Sequence, residues 1–389
     1  MENFQFYAPT KIFFGEEQLN NLPDILQEFG EKVLLVYGGG SIKRNGLYDA
    51  VLKLSEDVFE IQELSGVEPN PRIETVRKGV ALCREKKVDV ILAVGGGSTI
   101  DCAKAIAAGV FYEGDPWDFT SDSSLITKAL PLVSVLTLAA TGSEMNSGAV
   151  ISDMAKNEKL SLGNSLTIPK ASILDPTYTF TVPEYQTAAG SADIMSHLIE
   201  NYFKQTRGAE VQDRLAEGLM RTVLQYTPIA LKTPDNYEAR ANLMWASSLG
   251  LNGLTGRGKG GSWSCHAIEH ELSAFYDITH GVGLAIITPR WMEHILSEQT
   301  VEKFVSFAVN VMGLSLIDDR FALAREGIRC LKNHFTSWGI PMTLVDVGID
   351  GEKLELMANK AVEHNTLDKA YVPLYAEDVL SILKASLND

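Results

Sequence analysis

A chain of 389 residues is too long for one simple core, so two domains are the natural expectation. Hydrophobic content of 45 % and charged content of 22 % suit a soluble globular enzyme. A formal net charge of −16 excludes nucleic acid and anionic membrane as partners, since both need basic patches, but leaves room for a small phosphorylated ligand held by local donors.

The opening Met1-Glu-Asn-Phe-Gln-Phe-Tyr-Ala-Pro9 lacks the basic and apolar regions of a signal peptide. No apolar run nears the roughly 20 residues of a membrane span. Cys83, Cys102, Cys265 and Cys330 have no paired spacing, so reduced thiols and a cytoplasmic location are expected.

From residue 32 to 175, short apolar runs alternate with helical patterns. Residues 32–37 read as a buried strand and 47–54 as part of the following helix. Residues 58–64 alternate as a second strand, 73–86 are amphipathic, and 88–94 form another continuous apolar strand. This βαβ rhythm predicts a parallel sheet with helices on its faces. Two strands end in the same tetrapeptide, Gly38-Gly39-Gly40-Ser41 and Gly95-Gly96-Gly97-Ser98, each followed by a helical pattern. Glycine lets backbone approach a phosphate, and the next helix offers free N–H groups at its positive end. Two such turns on one sheet predict nucleotide binding.

Neither run completes G-x-G-x-x-G, because Lys43 and Ile100 occupy the third glycine positions. With the pyrophosphate on Gly38–Gly40, Glu63 would take the ribose hydroxyls, which predicts NAD. With the pyrophosphate on Gly95–Ser98, small donors such as Gly39 and Ser41, with Lys43 and Arg44 near, would face the ribose, which predicts NADP. Spacing alone leaves both open. A strand at 132–136 runs into Thr137-Leu-Ala-Ala-Thr141-Gly142-Ser143-Glu144-Met-Asn146, a loop suited to donating hydrogen bonds to a ligand. After a short strand at 171–174, Pro169, Pro176 and Pro183 mark a boundary, giving an α/β domain over 1–180 and a helical domain over 181–389.

Helical spacing then covers 215–231, 239–251, 302–311, 320–338 and 351–362, and the glycine-rich stretch 250–262 reads as a loop. Asp193 and His197 lie four apart, on one helix face, and His266 and His270 repeat that spacing. His280-Gly opens a further helix. Of only seven histidines, three fall between 266 and 280, so these carboxylate and imidazole groups predict a divalent-metal site. His266-Ala-Ile-Glu269-His270 also matches the protease pattern H-x-x-E-H, but that alternative explains neither glycine run nor Asp193 and His197.

Together these pieces resemble the iron-containing (group III) alcohol dehydrogenase family, and within it the NADPH-dependent butanol dehydrogenase and aldehyde reductase branch. The matching segments are Gly95-Gly-Gly-Ser98-Thr-Ile-Asp101-Cys-Ala-Lys104, Thr141-Gly-Ser-Glu144, Lys159, Asp193-x-x-x-His197, His266-x-x-x-His270 and Tyr276–Gly281. The resemblance implies a Rossmann-like α/β domain followed by an all-α domain, with the active site in the cleft between them. It places metal ligation on Asp193, His197, His266 and His280, with Fe²⁺ expected and Zn²⁺ possible. It places His270 near the nicotinamide without making it a ligand, and His270 is then the candidate for relaying the proton to the alkoxide, directly or through water. Cofactor contacts would fall on Gly39, Ser41, Gly96, Gly97, Ser98 and Asp101, and further on Thr137, Ser143, Asn146, Lys159 and Tyr178. Family members that use NAD tend to carry Asp at the end of the first strand; the Gly-Gly-Gly-Ser here favours NADP(H).

The implied reaction is hydride transfer between NADP(H) and short- to medium-chain primary alcohols or aldehydes, in an enzyme expected to be a homodimer. Three imidazoles and one carboxylate around a divalent ion leave a net site charge of about +1. His364 is a further candidate for lining the cleft. The rival readings are a lyase of the dehydroquinate-synthase kind and a non-catalytic nucleotide sensor.

Overall fold

Strands with no polar face need cover on both sides, and the computed structural model, which describes residues 1–388, supplies it. The strands are β1 (Lys11–Phe14), β2 (Lys32–Tyr37), β3 (Glu60–Leu64), β4 (Val90–Gly95), β5 (Leu132–Leu136), β6 (Gly148–Asp153), β7 (Glu158–Gly163) and β8 (Ala171–Leu174). Six of them form one sheet in the order β1-β8-β5-β4-β2-β3, with every neighbouring pair parallel. Between them run α1 (Leu22–Gln27), α2 (Ser41–Arg44), α3 (Leu47–Ser55), α4 (Ile73–Lys86) and α5 (Gly97–Gly109).

Alternation along each strand divides the core in two. Leu34, Val36, Ile91 and Ala93 point to one face, where Val76 and Val80 of α4 and Ile100 and Ile106 of α5 cover them. Val33, Leu35, Val90 and Leu92 point to the other, under Leu22 and Ile25 of α1 and Leu47 and Val51 of α3. Each buried Val, Leu or Ile among them contributes about 1.5–3 kcal/mol by leaving water.

The second half is helical: α6 (Glu184–Tyr202), α7 (Glu210–Lys232), α8 (Tyr237–Leu251), α9 (Cys265–Tyr276), α10 (His280–Ile295), α11 (Val301–Asn310), α12 (Arg320–Ser337), α13 (Leu354–His364) and α14 (Ala376–Ala385). No strand follows Leu174 among the described residues. The chain divides into two compact units that are not contiguous in sequence: Tyr7–Val182 with Pro234–Ser248, and Met1–Phe6 with Pro183–Thr233 and Leu249 onward. Among the described residues no helix is long and apolar enough to cross a membrane.

The parallel sheet and its crossover helices agree with the sequence expectation, with small shifts at the ends. The strand expected at 58–64 starts at Glu60, and the helices expected at 215–231 and 351–362 are Glu210–Lys232 and Leu354–His364. The edge strand β1, the short helix α1, the antiparallel β6–β7 ribbon and α14 were not expected.

Candidate metal centre and cofactor-binding residues

The helical unit brings four of the singled-out side chains together. Asp193 and His197 share a face of α6, with His197 Nε2 3.4 Å from Asp193 Oδ1. His266, in the first turn of α9, places its Nε2 3.7 Å from the same oxygen, and His280, the first residue of α10, places its Nε2 at 3.8 Å. One ligand atom each from Asp193, His266 and His280 lies within 4.8 Å of the others. The His197 and His266 rings stack with centroids 4.7 Å apart, and the Trp263 indole packs against both, 5.5 and 4.7 Å away.

A sequence reason for this convergence is Gly281. A Cβ there would stand 1.9 Å from the backbone oxygen of Ala189 in α6, so only glycine lets α10 start so close to the helix that carries Asp193.

The donor set fits a divalent cation. Asp193 Oδ1 and His266 Nε2 are buried atoms with no hydrogen-bond partner, a costly state that a cation between them would relieve. Burial alone would raise the Asp193 carboxyl, but the imidazoles of His197, His266 and His280 hold it well below the usual carboxylate range. Burial pulls His197 down to about 4, keeping it neutral as a ligand must be. Burial also opposes protonation of His266, yet the neighbouring Asp193 and Glu200 carboxylates outweigh it and raise that ring to about 9. Mixed nitrogen and oxygen ligands suit iron and zinc alike.

Two buried glutamates stand behind the histidines. Glu200 Oε2 is 2.5 Å from His266 Nδ1, and Glu269 meets His280 Nδ1 and the Ser273 hydroxyl. Nothing in the sequence singled out Glu200, and Glu269 stood out only as the glutamate of H-x-x-E-H. Its engagement with His280 replaces the protease-base alternative. His270 lies half-buried beside the group, its ring centroid 6.3 Å from that of His266 and 5.7 Å from that of His280. His364 Nδ1 lies 2.9 Å from Glu271 Oε1.

In the sheet unit, Gly96 precedes α5, and Gly97 and Ser98 form its first turn, a thirteen-residue helix with its positive end at the tip of β4. Gly97 is also needed for packing: a Cβ would fall 2.3 Å from Thr141 Oγ1. Gly39 has open space around it, and Gly40 takes the left-handed φ of +96° that turns β2 into the helix of Ser41. Thr137 follows β5 and is half-buried, as is Tyr178 beside the sheet's second core, while Lys159 lies buried in β7.

Asp101, Ser143 and Asn146 are joined in one network. Asp101 Oδ1 accepts from the Ser143 hydroxyl at 2.5 Å, and its Oδ2 accepts from Val150 N–H. Lys104, fully buried, donates to Ser143 Oγ, Asn146 Oδ1 and the Gly148 carbonyl at 2.7–3.0 Å. These residues brace the loop that begins at Thr137. Lys104, quoted in the motif without a role, is the centre of that brace.

Residues 9–176 match the family model for iron-containing alcohol dehydrogenase, and residues 187–387 match the C-terminal model of the same family. The chain belongs to the iron-containing alcohol dehydrogenase family. It is 57 % identical to NADH-dependent butanol dehydrogenase A of Clostridium acetobutylicum, over 99 % of this chain and 100 % of that one. It is 39 % identical to the NADPH-dependent aldehyde reductase YqhD of Escherichia coli, over 94 % of each. Among solved structures, NADH-dependent butanol dehydrogenase A of Thermotoga maritima superposes with a TM-score of 0.95 at 40 % identity, covering 100 % of this chain and 99 % of that one.

Proposed function

We propose that this chain is a metal- and nicotinamide-dependent alcohol dehydrogenase that also reduces aldehydes, acting on short- to medium-chain primary alcohols such as butanol. The observation that carries it is the convergence of Asp193, His266 and His280, with two buried atoms left unpartnered, in a member of this family. Asp193, His197, His266 and His280 would hold the ion, Fe²⁺ or Zn²⁺. When bound, the ion supplies Lewis-acid polarisation of a carbonyl oxygen and the nicotinamide supplies the hydride. His270 would hold or pass the proton that the product oxygen gains. Gly96, Gly97 and Ser98 offer N–H donors to the pyrophosphate, with Lys104 keeping the neighbouring loop in shape.

The relatives' names divide on the cofactor. Two relatives 57 and 54 % identical are named NADH-dependent and two at 48 % are named probable NADH-dependent butanol dehydrogenases, whereas YqhD is named NADPH-dependent. What supports NADP(H) here is the end of β2. No acid stands in Gly38–Ser41, and Glu63 is engaged by the hydroxyls of Tyr37 and Tyr48, at 2.7 and 2.9 Å. Exposed Lys43 lies 4.3 Å over the Tyr48 ring, a cation beside the turn where a 2′-phosphate would sit.

The test is a set of initial rates with butanal and NADPH or NADH, before and after chelation and after returning Fe²⁺ or Zn²⁺. Metal-dependent turnover with NADPH at least as efficient as with NADH is expected, and His266→Ala should lose both bound metal and turnover. Normal metal content and rate in that variant would sink the metal reading. Steady consumption of reduced cofactor separates this function from a lyase that recycles its nicotinamide and from a sensor that binds without turnover.

A further inference from the structure

We infer that Glu200 and Glu269 are positioning residues for the metal centre, each fixing one ligand histidine through its Nδ1 so that Nε2 is held ready for the ion. The inference rests on the metal-centre reading above.

The geometry is the same on both sides. Glu200 Oε2 lies 2.5 Å from His266 Nδ1, and Glu269 meets His280 Nδ1. In both rings the other nitrogen, Nε2, faces Asp193 Oδ1, at 3.7 and 3.8 Å. A carboxylate accepting from Nδ1–H selects the tautomer whose lone pair is on Nε2 and makes that nitrogen more basic. Both carboxylates are themselves held. Glu200 accepts from the N–H groups of Cys265 and His266, at 2.6 and 3.2 Å, which anchors it to the start of α9. Glu269 accepts from the Ser273 hydroxyl one turn along the same helix. Both glutamates are buried, so their charges are poorly screened.

Glu200 and Glu269 add two buried carboxyl groups behind the ligand histidines, beyond that of Asp193, which favours retention of a cation.

A nearby pair supplies the control. Glu271, also in α9 and also buried, meets His364 rather than a ligand histidine. If buried glutamate–histidine pairs here serve only packing, substitutions at 269 and 271 should have similar effects. The experiment uses metal-stripped full-length protein loaded with Co²⁺, measuring affinity by chelator competition and coordination by the visible d–d spectrum, with circular dichroism to verify folding. Wild type is expected to bind one Co²⁺ per chain. Glu269→Gln and Glu200→Gln are expected to weaken binding about 10- to 100-fold and to alter the spectrum, while Glu271→Gln stays within about twofold. Glu200→Gln also disturbs the start of α9, so Glu269→Gln decides if the former does not fold. A folded Glu269→Gln with wild-type Co²⁺ affinity and spectrum overturns the inference. Wild type that takes up no Co²⁺ overturns the metal-centre reading itself.

Discussion

Burial pulls the Lys104 ammonium from 10.5 down to about 8, although Asp101 and Glu144 pull the other way. Burial likewise raises the Glu144 carboxyl. Because the unfolded lysine keeps its proton up to about 10.5, the unfolded state binds more protons than the folded one between pH 8 and 10.5. Stability conferred by this residue therefore rises with pH in that window. Denaturant titrations of wild type and Lys104→Met should show wild type gaining on the variant by up to about 1.4 kcal/mol per pH unit. A constant difference from pH 8 to 10.5 would show that the lysine does not titrate there. Lys43 makes a different prediction. Lys43→Ala should raise KM for NADPH several-fold and leave KM for NADH unchanged, and equal changes in both would remove it as a 2′-phosphate contact. The candidate ligand group was legible at this scale because histidine is scarce and clustered. Glu200 was not, since its partner His266 lies 66 residues away and nothing local distinguishes one helix glutamate from another. Glu269 was visible only as part of a protease pattern that the sequence reading set aside, because a motif gives spacing and not the identity of the group that the carboxylate meets.

At the level of elements, the candidate metal centre depends on how closely α10 approaches α6. Gly281→Ala would drive a methyl group into the Ala189 carbonyl, and neither backbone can yield cheaply. Overpacking of this kind costs about 1–3 kcal/mol and would shift His280 away from Asp193. A lower melting temperature together with less bound metal is expected; wild-type values for both would show that the helices can part without consequence. The strands at 32–37 and 132–136 could be read to the residue because apolar runs between turn signals have few alternatives. β1 could not: four residues, Lys11-Ile-Phe-Phe14, are too few to show a period, and their pairing with β8 spans most of the sheet unit's sequence. The β6–β7 ribbon was hidden by its polar content, with Ser152, Asp153, Glu158 and Lys159 diluting the alternation.

For the molecule as a whole, a boundary near residue 180 describes most of the chain, but Pro234–Ser248 belongs with the sheet. Met244 joins the core under α4 and α5, Trp245 meets Phe14 edge-on at 5.8 Å, and the Ser248 hydroxyl donates to the otherwise buried Glu144 carboxylate. No periodicity within 234–248 could reveal this, because the pattern says that a helix has an apolar face and not which core takes it. Residues 7–182 produced alone should therefore unfold at lower denaturant concentration than the same fragment with a synthetic 234–248 peptide added. Identical midpoints would show the segment to be dispensable.

That interleaving also bears on how the protein is made. As the chain leaves the ribosome, β8 completes the six-stranded sheet well before residue 248 emerges, and the intervening stretch through Thr233 belongs to the other unit. Until Ser248 arrives, the nascent sheet exposes the apolar seat of Met244 and leaves the Glu144 carboxylate without its hydroxyl partner. The sheet unit therefore gains its last segment only after part of the helical unit has been synthesised.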